Sequence, residues 1–221
     1  MSRTVVITGA NRGIGLALAK QYAANGDRVI GVCRKASPEL EQVAERVIDG
    51  IDVGGPEGAR KLGEAMGNDP VDILVNNAGI LRLEMLEDLN VDTIREQFDV
   101  NALGPLLVTR ALLDNLHDGS RIACITSRMG SIADNTSGSR YGYRMSKAAL
   151  NIAAVSLAHD LAPRGIAVAI IHPGFVQTDM VGGNGDIPPE VAAERIRTRI
   201  EELSLENTGT FWHSNGEVLP W

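Results

Sequence analysis

The chain has 221 residues, 44% of them hydrophobic and 22% charged, the makeup of one globular domain with a full core. A formal net charge of −7 and a pI near 5.1 remove the basic face that nucleic-acid binding needs, so no nucleic-acid partner is expected. No apolar run is long enough for a bilayer, and Met1-Ser2-Arg3-Thr4 lacks a signal-peptide core, so no membrane association and a cytoplasmic location are expected. Cys33 and Cys124 stand apart inside apolar runs and the four histidines scatter, so neither a disulfide nor a metal site is expected.

In chain order, Thr4-Val5-Val6-Ile7-Thr8 is a β-branched run ending at a glycine, the pattern of a buried strand. Gly9-Ala10-Asn11-Arg12-Gly13-Ile14-Gly15 follows, and residues 16–23 have a helical pattern. Strand, glycine turn and helix make the setting of a phosphate site. Glycines let the backbone approach a pyrophosphate, and the helix N-terminus offers free N–H groups and a positive dipole end. The spacing is Gly-x-x-x-Gly-x-Gly, and a tight βα turn that needs glycine only for its geometry has the same look. Residues 28–33 read as a second strand, with Arg34 and Lys35 just past its end. An acidic residue there would bind a ribose 2′-hydroxyl; two cations, with Arg12 able to converge, favour a 2′-phosphate and so NADP(H) over NAD(H).

Residues 39–47 are helix-like, 47–53 look like a short third strand, and 57–66 form a further helix stopped by Gly67-Asn68-Asp69-Pro70. Residues 71–75 read as a fourth strand ending in Asn76-Asn77-Ala78-Gly79. A helix from residue 92 to 113 is expected to kink or break near Asn101, because Pro105 lacks a backbone donor. A fifth strand covers 121–127, a helix 143–161 and a sixth strand 166–171, ending at His172-Pro173-Gly174. Glycines 182, 183 and 185 suggest a mobile lid before a charged helix over 190–203, and residues 210–212 read as a last strand. The alternation predicts one α/β domain over residues 1–221: a Rossmann-type doubly wound parallel sheet with helices on both faces. Ligands in such sheets lie at the carboxyl ends of the strands, so Gly9, Arg34, Asn76, Ser127 and Pro173 are expected on one rim.

Tyr143 and Lys147 are four apart on the sixth-strand side of this pattern, so both leave one face of a helix. A nearby ammonium favours phenolate and is expected to pull the Tyr143 pKa down, which makes the pair suited to proton transfer. With these residues in order, the chain resembles the short-chain dehydrogenase/reductase family from residue 4 to essentially 221. The resemblance is carried by Thr8-Gly9-Ala10-Asn11-Arg12-Gly13-Ile14-Gly15, Asn76-Asn77-Ala78-Gly79, Asn101, Ser127, Tyr143-x-x-x-Lys147 and Pro173-Gly174. Residues 141–147 and 209–221 are similar to the C-factor-like and sniffer-like carbonyl reductase branch.

The resemblance implies an NADP(H)-dependent reductase of ketones or aldehydes, with no metal. It implies that Tyr143 donates the proton, Ser127 holds the substrate oxygen, and Lys147 binds the nicotinamide ribose and tunes Tyr143. The backbone at Asn101 would position a water. Gly9, Asn11, Arg12, Gly13, Ile14, Gly15, Arg34, Asp52, Val53, Asn77, Ala78, Gly79, Pro173, Gly174, Val176 and Thr178 would join Tyr143 and Lys147 in holding the cofactor. The family serine commonly lies thirteen residues before the tyrosine, where this chain has Gly130. Ser127 is preferred because it ends an apolar strand, and Ser131, already in the loop, is the alternative. Partners are expected to be a small carbonyl or alcohol and further copies of the chain, as a homodimer or homotetramer. An NADP(H)-binding signalling or regulatory protein is the competing function.

Overall fold

The structure is a computed structural model and describes residues 2–221. Seven strands form one sheet: β1 (Thr4–Thr8), β2 (Arg28–Val32), β3 (Arg46–Ile48), β4 (Val71–Asn76), β5 (Leu116–Ile125), β6 (Ala167–His172) and β7 (Phe211–His213). Their spatial order is β3-β2-β1-β4-β5-β6-β7, and every neighbouring pair is parallel. Seven helices cover it: α1 (Gly13–Ala24), α2 (Pro38–Val43), α3 (Pro56–Met66), α4 (Val91–Phe98), α5 (Gly104–Ala111), α6 (Tyr141–Leu161) and α7 (Pro189–Glu201). This is the doubly wound Rossmann-type sheet that the alternation predicts.

The period of two along each strand sorts its side chains into two cores. Val6, Leu74, Ile122, Cys124, Val168 and Ile170 face the side covered by α3, α5 and α6, where Leu62, Val108 and Leu150 meet them. Val5, Ile7, Ile73, Val75, Ala123, Ala169 and Ile171 face the side covered by α1 and α7, where Leu18, Tyr22, Ile196 and Ile200 pack. Each buried Leu, Ile or Val contributes roughly 1.5–3 kcal/mol relative to exposure, so both helical layers are held by burial. The chain winds outwards through β1, β2 and β3, then returns to the other side of β1 as β4. The crossovers diverge at that reversal and leave a crevice at the strand ends.

Three boundaries differ from the sequence reading. The helix expected over 39–47 is the six-residue α2, and the third strand is Arg46–Ile48 rather than 47–53. Ile30, Gly31 and Val32 of β2 pair with Arg46, Val47 and Ile48; the left-handed Gly50 then turns the chain away. The fifth strand begins five residues earlier than expected, at Leu116, with a register shift against β4 between Val71 and Ile73. The long helix over 92–113 is indeed broken: α4 and α5 are separated by a π-helical turn, Asp99–Leu103, with Asn101 at its centre. Pro105 cannot donate to the carbonyl four residues back, which is that of Asn101.

Candidate active site

The carboxyl ends of β1, β2, β4, β5 and β6 open onto a cleft of about 410 Å³. Its floor is the turn after β1, where Gly9, Asn11, Arg12, Gly13 and Ile14 lead into α1. Gly9 has φ +66°, and a Cβ there would stand 3.0 Å from the Ala78 Cα, so the turn and the end of β4 approach as only glycine permits. Thr8 staples the same two strand ends. Its hydroxyl accepts from the Asn77 and Ala78 amides at 3.0 and 3.1 Å, while Asn77 Nδ2 donates to the Thr8 carbonyl at 2.9 Å. Gly15 lies behind this junction rather than on the cleft wall. A Cβ on it would come within 2.3 Å of the Gly9 carbonyl oxygen, so it is required for packing α1 onto the turn.

Arg34, Lys35, Asp52, Val53, Asn77, Ala78, Gly79, Tyr143, Lys147, Pro173 and Thr178 also line the cleft. Arg34 and Lys35 are exposed at the β2 end. Arg12 instead reaches across to Asp179, with 3.5 Å between guanidinium and carboxylate. Val176 is buried and bridges to Ile187, away from the cleft lining, and Gly174 packs beside that isoleucine at φ +97°. Met180 lines the cleft too, and sequence reasoning passed over Val32, Cys33, Ile51, Ile80, Val100, Ile125, Thr126 and Asp179, which complete the wall. Adjacency to a strand end marks Val32, Cys33, Ile125 and Thr126, whereas Ile80 and Val100 carry no such signal.

Tyr143 and Lys147 leave α6 on the same side, with the ammonium 5.8 Å from the phenol ring centroid. Lys147 is 4% exposed, its Nζ donates to the Ile125 carbonyl at 2.9 Å, and burial pushes its pKa down to about 8. The expected fall in the Tyr143 pKa is not what this environment produces. Burial of the phenol pushes it up, and the opposing pull is a hydrogen bond from Ser127 rather than the Lys147 charge. Lys147 instead spends its proton on the strand carbonyl.

Ser127 is 7% exposed and stands beside Tyr143, also accepting from the Met129 amide at 3.1 Å. Ser131 turns its hydroxyl to the Asp134 amide at 3.1 Å. Gly130, at the thirteen-residue spacing, belongs to a tight turn against α6, and a Cβ there would lie 2.7 Å from the Lys147 carbonyl carbon. A serine has no room at that position, and the nearest hydroxyls along the chain are those of Ser127 and Ser131. Asn101 is fully buried, accepts from the Ile80 amide at 2.8 Å and donates to the Ile80 carbonyl at 2.9 Å. His172 packs edge-on against His213 with centroids 4.9 Å apart, and burial holds its pKa down at about 3, so it stays neutral and serves as packing.

The sequence pattern of the short chain dehydrogenases matches residues 3–186. The chain belongs to the short-chain dehydrogenase family. Within it, the chain is 36% identical over 224 residues to a 1-hydroxy-2-glutathionyl-2-methyl-3-butene dehydrogenase from Rhodococcus sp. (strain AD45), covering 99% of each. It is 45% identical to a Myxococcus xanthus protein named C-signal, over 69% of this chain and 93% of that one. Among solved structures it is similar to the carbonyl reductase Sniffer of D. melanogaster, at 28% identity and a TM-score of 0.90 over 100% of both chains. It is also similar to an NADPH-bound carbonyl reductase from chicken fatty liver, at 28% identity and a TM-score of 0.87, covering 100% of this chain and 99% of that one. The C-factor-like and sniffer-like resemblance read from residues 141–147 and 209–221 thus has its counterparts among these short-chain dehydrogenases.

Proposed function

We propose that the chain is an NADP(H)-dependent reductase that converts a ketone or aldehyde to an alcohol, with Tyr143 as proton donor. The observation that carries this reading is the pair Tyr143 and Lys147 in the wall of a cleft floored by a glycine turn and a helix N-terminus, with Ser127 buried beside Tyr143. The turn fits a pyrophosphate: Gly9 and Gly13 take positive φ and α1 presents its N-terminal N–H groups there. Arg34 and Lys35 are free at the rim for a 2′-phosphate, and Asp52, Val53 and residues 77–79 line the adenosine side. A bound nicotinamide supplies the hydride.

The chain's own groups orient the reactants and manage the proton. Burial keeps the Tyr143 phenol protonated at neutral pH, the form that gives a proton to a carbonyl oxygen as charge develops there. Ser127, buried beside Tyr143, orients that oxygen. Lys147 holds the ribose and can relay a proton towards Asn101. The carbonyl reductases among the structural neighbours support this direction of reaction. Loss of reduced-nicotinamide absorbance over a panel of carbonyls tests it. Wild type is expected to turn over, and Tyr143→Phe to lose roughly 10²–10⁴-fold in rate. Equal turnover by Tyr143→Phe would sink the assignment.

The C-signal relative favours a second reading, in which NADP(H) binding serves signalling and turnover is secondary. Rescue of a knockout by Tyr143→Phe, but not by a Gly13 variant that no longer binds cofactor, would select it. In either reading the protein works in the cytoplasm and as a homodimer or homotetramer. Met145 and Ile152 of α6 are more than half exposed, Phe98 of the neighbouring α4 is exposed as well, and pairing with a second copy would cover such residues.

A further inference from the structure

Ser139 and Arg140 are the only non-glycine residues with positive φ among the described residues, at 54° and 52°. That region costs a residue with a side chain roughly 1–2 kcal/mol, and two in succession persist only where their surroundings hold them. They stand directly before α6, and Arg140, its N-cap, provides no side-chain hydrogen bond. The cap comes from another part of the chain. Glu84 Oε2 accepts from the Gly142 amide at 3.3 Å, and the Glu84 carbonyl accepts from the Arg140 amide at 2.9 Å.

Glu84 is 1% exposed, and its Oε1 accepts from Gln97 Nε2 at 2.6 Å and from Thr93 Oγ1 at 2.9 Å. Thr93, Gln97 and Asn101 are spaced by four along α4 and the π-helical turn, so they share one face. They meet alternate residues of the extended stretch after β4: Asn101 meets Ile80, Gln97 Oε1 accepts from the Arg82 amide at 2.8 Å, and Thr93 and Gln97 meet Glu84. A helical period interlocks with an extended one. At the far end Asn101 Nδ2 donates to Ser146 Oγ at 3.0 Å. The ladder therefore grips α6 at Gly142 and at Ser146, on either side of Tyr143.

We propose that Glu84 is a positioning residue for Tyr143: its carboxylate caps α6 from outside the helix and fixes where the phenol stands in the cleft. A carboxylate at a helix N-terminus also complements the dipole. Glu84→Gln keeps one oxygen for Thr93 and Gln97 but turns an NH₂ group towards the Gly142 N–H, which removes the cap and the charge together. Thr93→Ala removes one donor to Glu84 without touching α6 and is the control.

The test combines hydrogen–deuterium exchange on the full chain with NADPH-linked carbonyl reduction. In Glu84→Gln, exchange over residues 140–146 is expected to rise while β1, β4 and β5 stay protected. The kcat is expected to fall about 10–100-fold, as misplacement of a reacting group does. The KM for NADPH is expected to stay near wild type, and Thr93→Ala to leave all three readouts unchanged. Unchanged exchange at Gly142, a kcat close to wild type, or a matching rise in the KM for NADPH each overturns the proposal. The kinetic arm rests on the reductase reading. If wild type turns over no carbonyl, that reading falls and exchange alone decides the role of Glu84. If Glu84→Gln does not fold, Glu84→Asp, which keeps the charge but is too short to reach Gly142, takes its place. Collapse of both variants overturns the proposal, because Glu84 would then hold the domain rather than the helix.

Discussion

An ammonium that is 4% exposed works against the fold, and Lys147 carries one with the Ile125 carbonyl as its acceptor. Its pKa is about 8 in the folded chain against 10.5 for the free side chain. Between those values the unfolded chain keeps a proton that the folded chain has lost, so Lys147's contribution to stability rises with pH across that window. Below pH 8 the group destabilises the fold by on the order of 3 kcal/mol. Lys147→Met is therefore expected to resist urea better than wild type at pH 7, with the advantage shrinking from pH 8 towards 10; a constant difference across that range would refute this account. Gly130→Ser, which restores the family spacing, is expected to cost about 1–3 kcal/mol by crowding Lys147, readable from the same urea curves. At the cleft rim, Arg34→Glu is expected to raise the KM for NADPH about tenfold, the equivalent of one lost phosphate contact, while sparing NADH. Equal effects on both cofactors would place Arg34 away from the 2′-phosphate. The identities of these residues were legible because strand ends and helical spacing mark them. The direction of the Tyr143 pKa was not, because it depends on the burial of the phenol among residues distant in the chain.

At the scale of elements, the most readable feature was the interruption at Asn101. Pro105 announces it, since a missing N–H is visible in any sequence, and the π-helical turn stands where the donor is lost. The glycine turn was equally plain, because Gly9 and Gly15 are dictated by backbone approach. The stretch over residues 80–84 was not legible. It has no periodicity of its own, and its order comes from Thr93, Gln97 and Asn101, whose four-residue spacing reads as an ordinary helix face until their partners are known. The edge element β3 was misplaced for a related reason: residues 46–53 are apolar enough for a longer strand, but only β2 offers pairing, and Gly50 ends it. Of the glycines at 182, 183 and 185, the first two donate their amides to the Asp179 and Thr178 carbonyls at 3.1 and 2.9 Å, and their own positions are otherwise open. A Cβ at Gly185 would meet Gln177 N at 2.5 Å, so close packing accounts for that glycine without invoking motion.

At the scale of the whole molecule, the sheet buries both faces, and its walls come from distant parts of the chain: β1 pairs with β2 on one side and with β4 on the other. Ligand in the cleft is therefore expected to raise the melting temperature of the entire domain rather than one lobe, by mass action on a single transition. The exposed apolar residues on α4 and α6 lead to a sedimentation prediction. A species heavier than 23.6 kDa is expected at micromolar concentration, and a strictly monomeric mass would remove the dimer from the reading. The edge strand β7 has an optical consequence. Both tryptophans sit there: Trp212 lies on β7, and Trp221 stacks on Phe211 with ring centroids 5.3 Å apart. Intrinsic fluorescence of this protein thus observes one margin of the sheet, whereas circular dichroism averages over all of it. If the two signals part company during denaturation, the margin has peeled away before the rest, and the emission trace dates that event by itself.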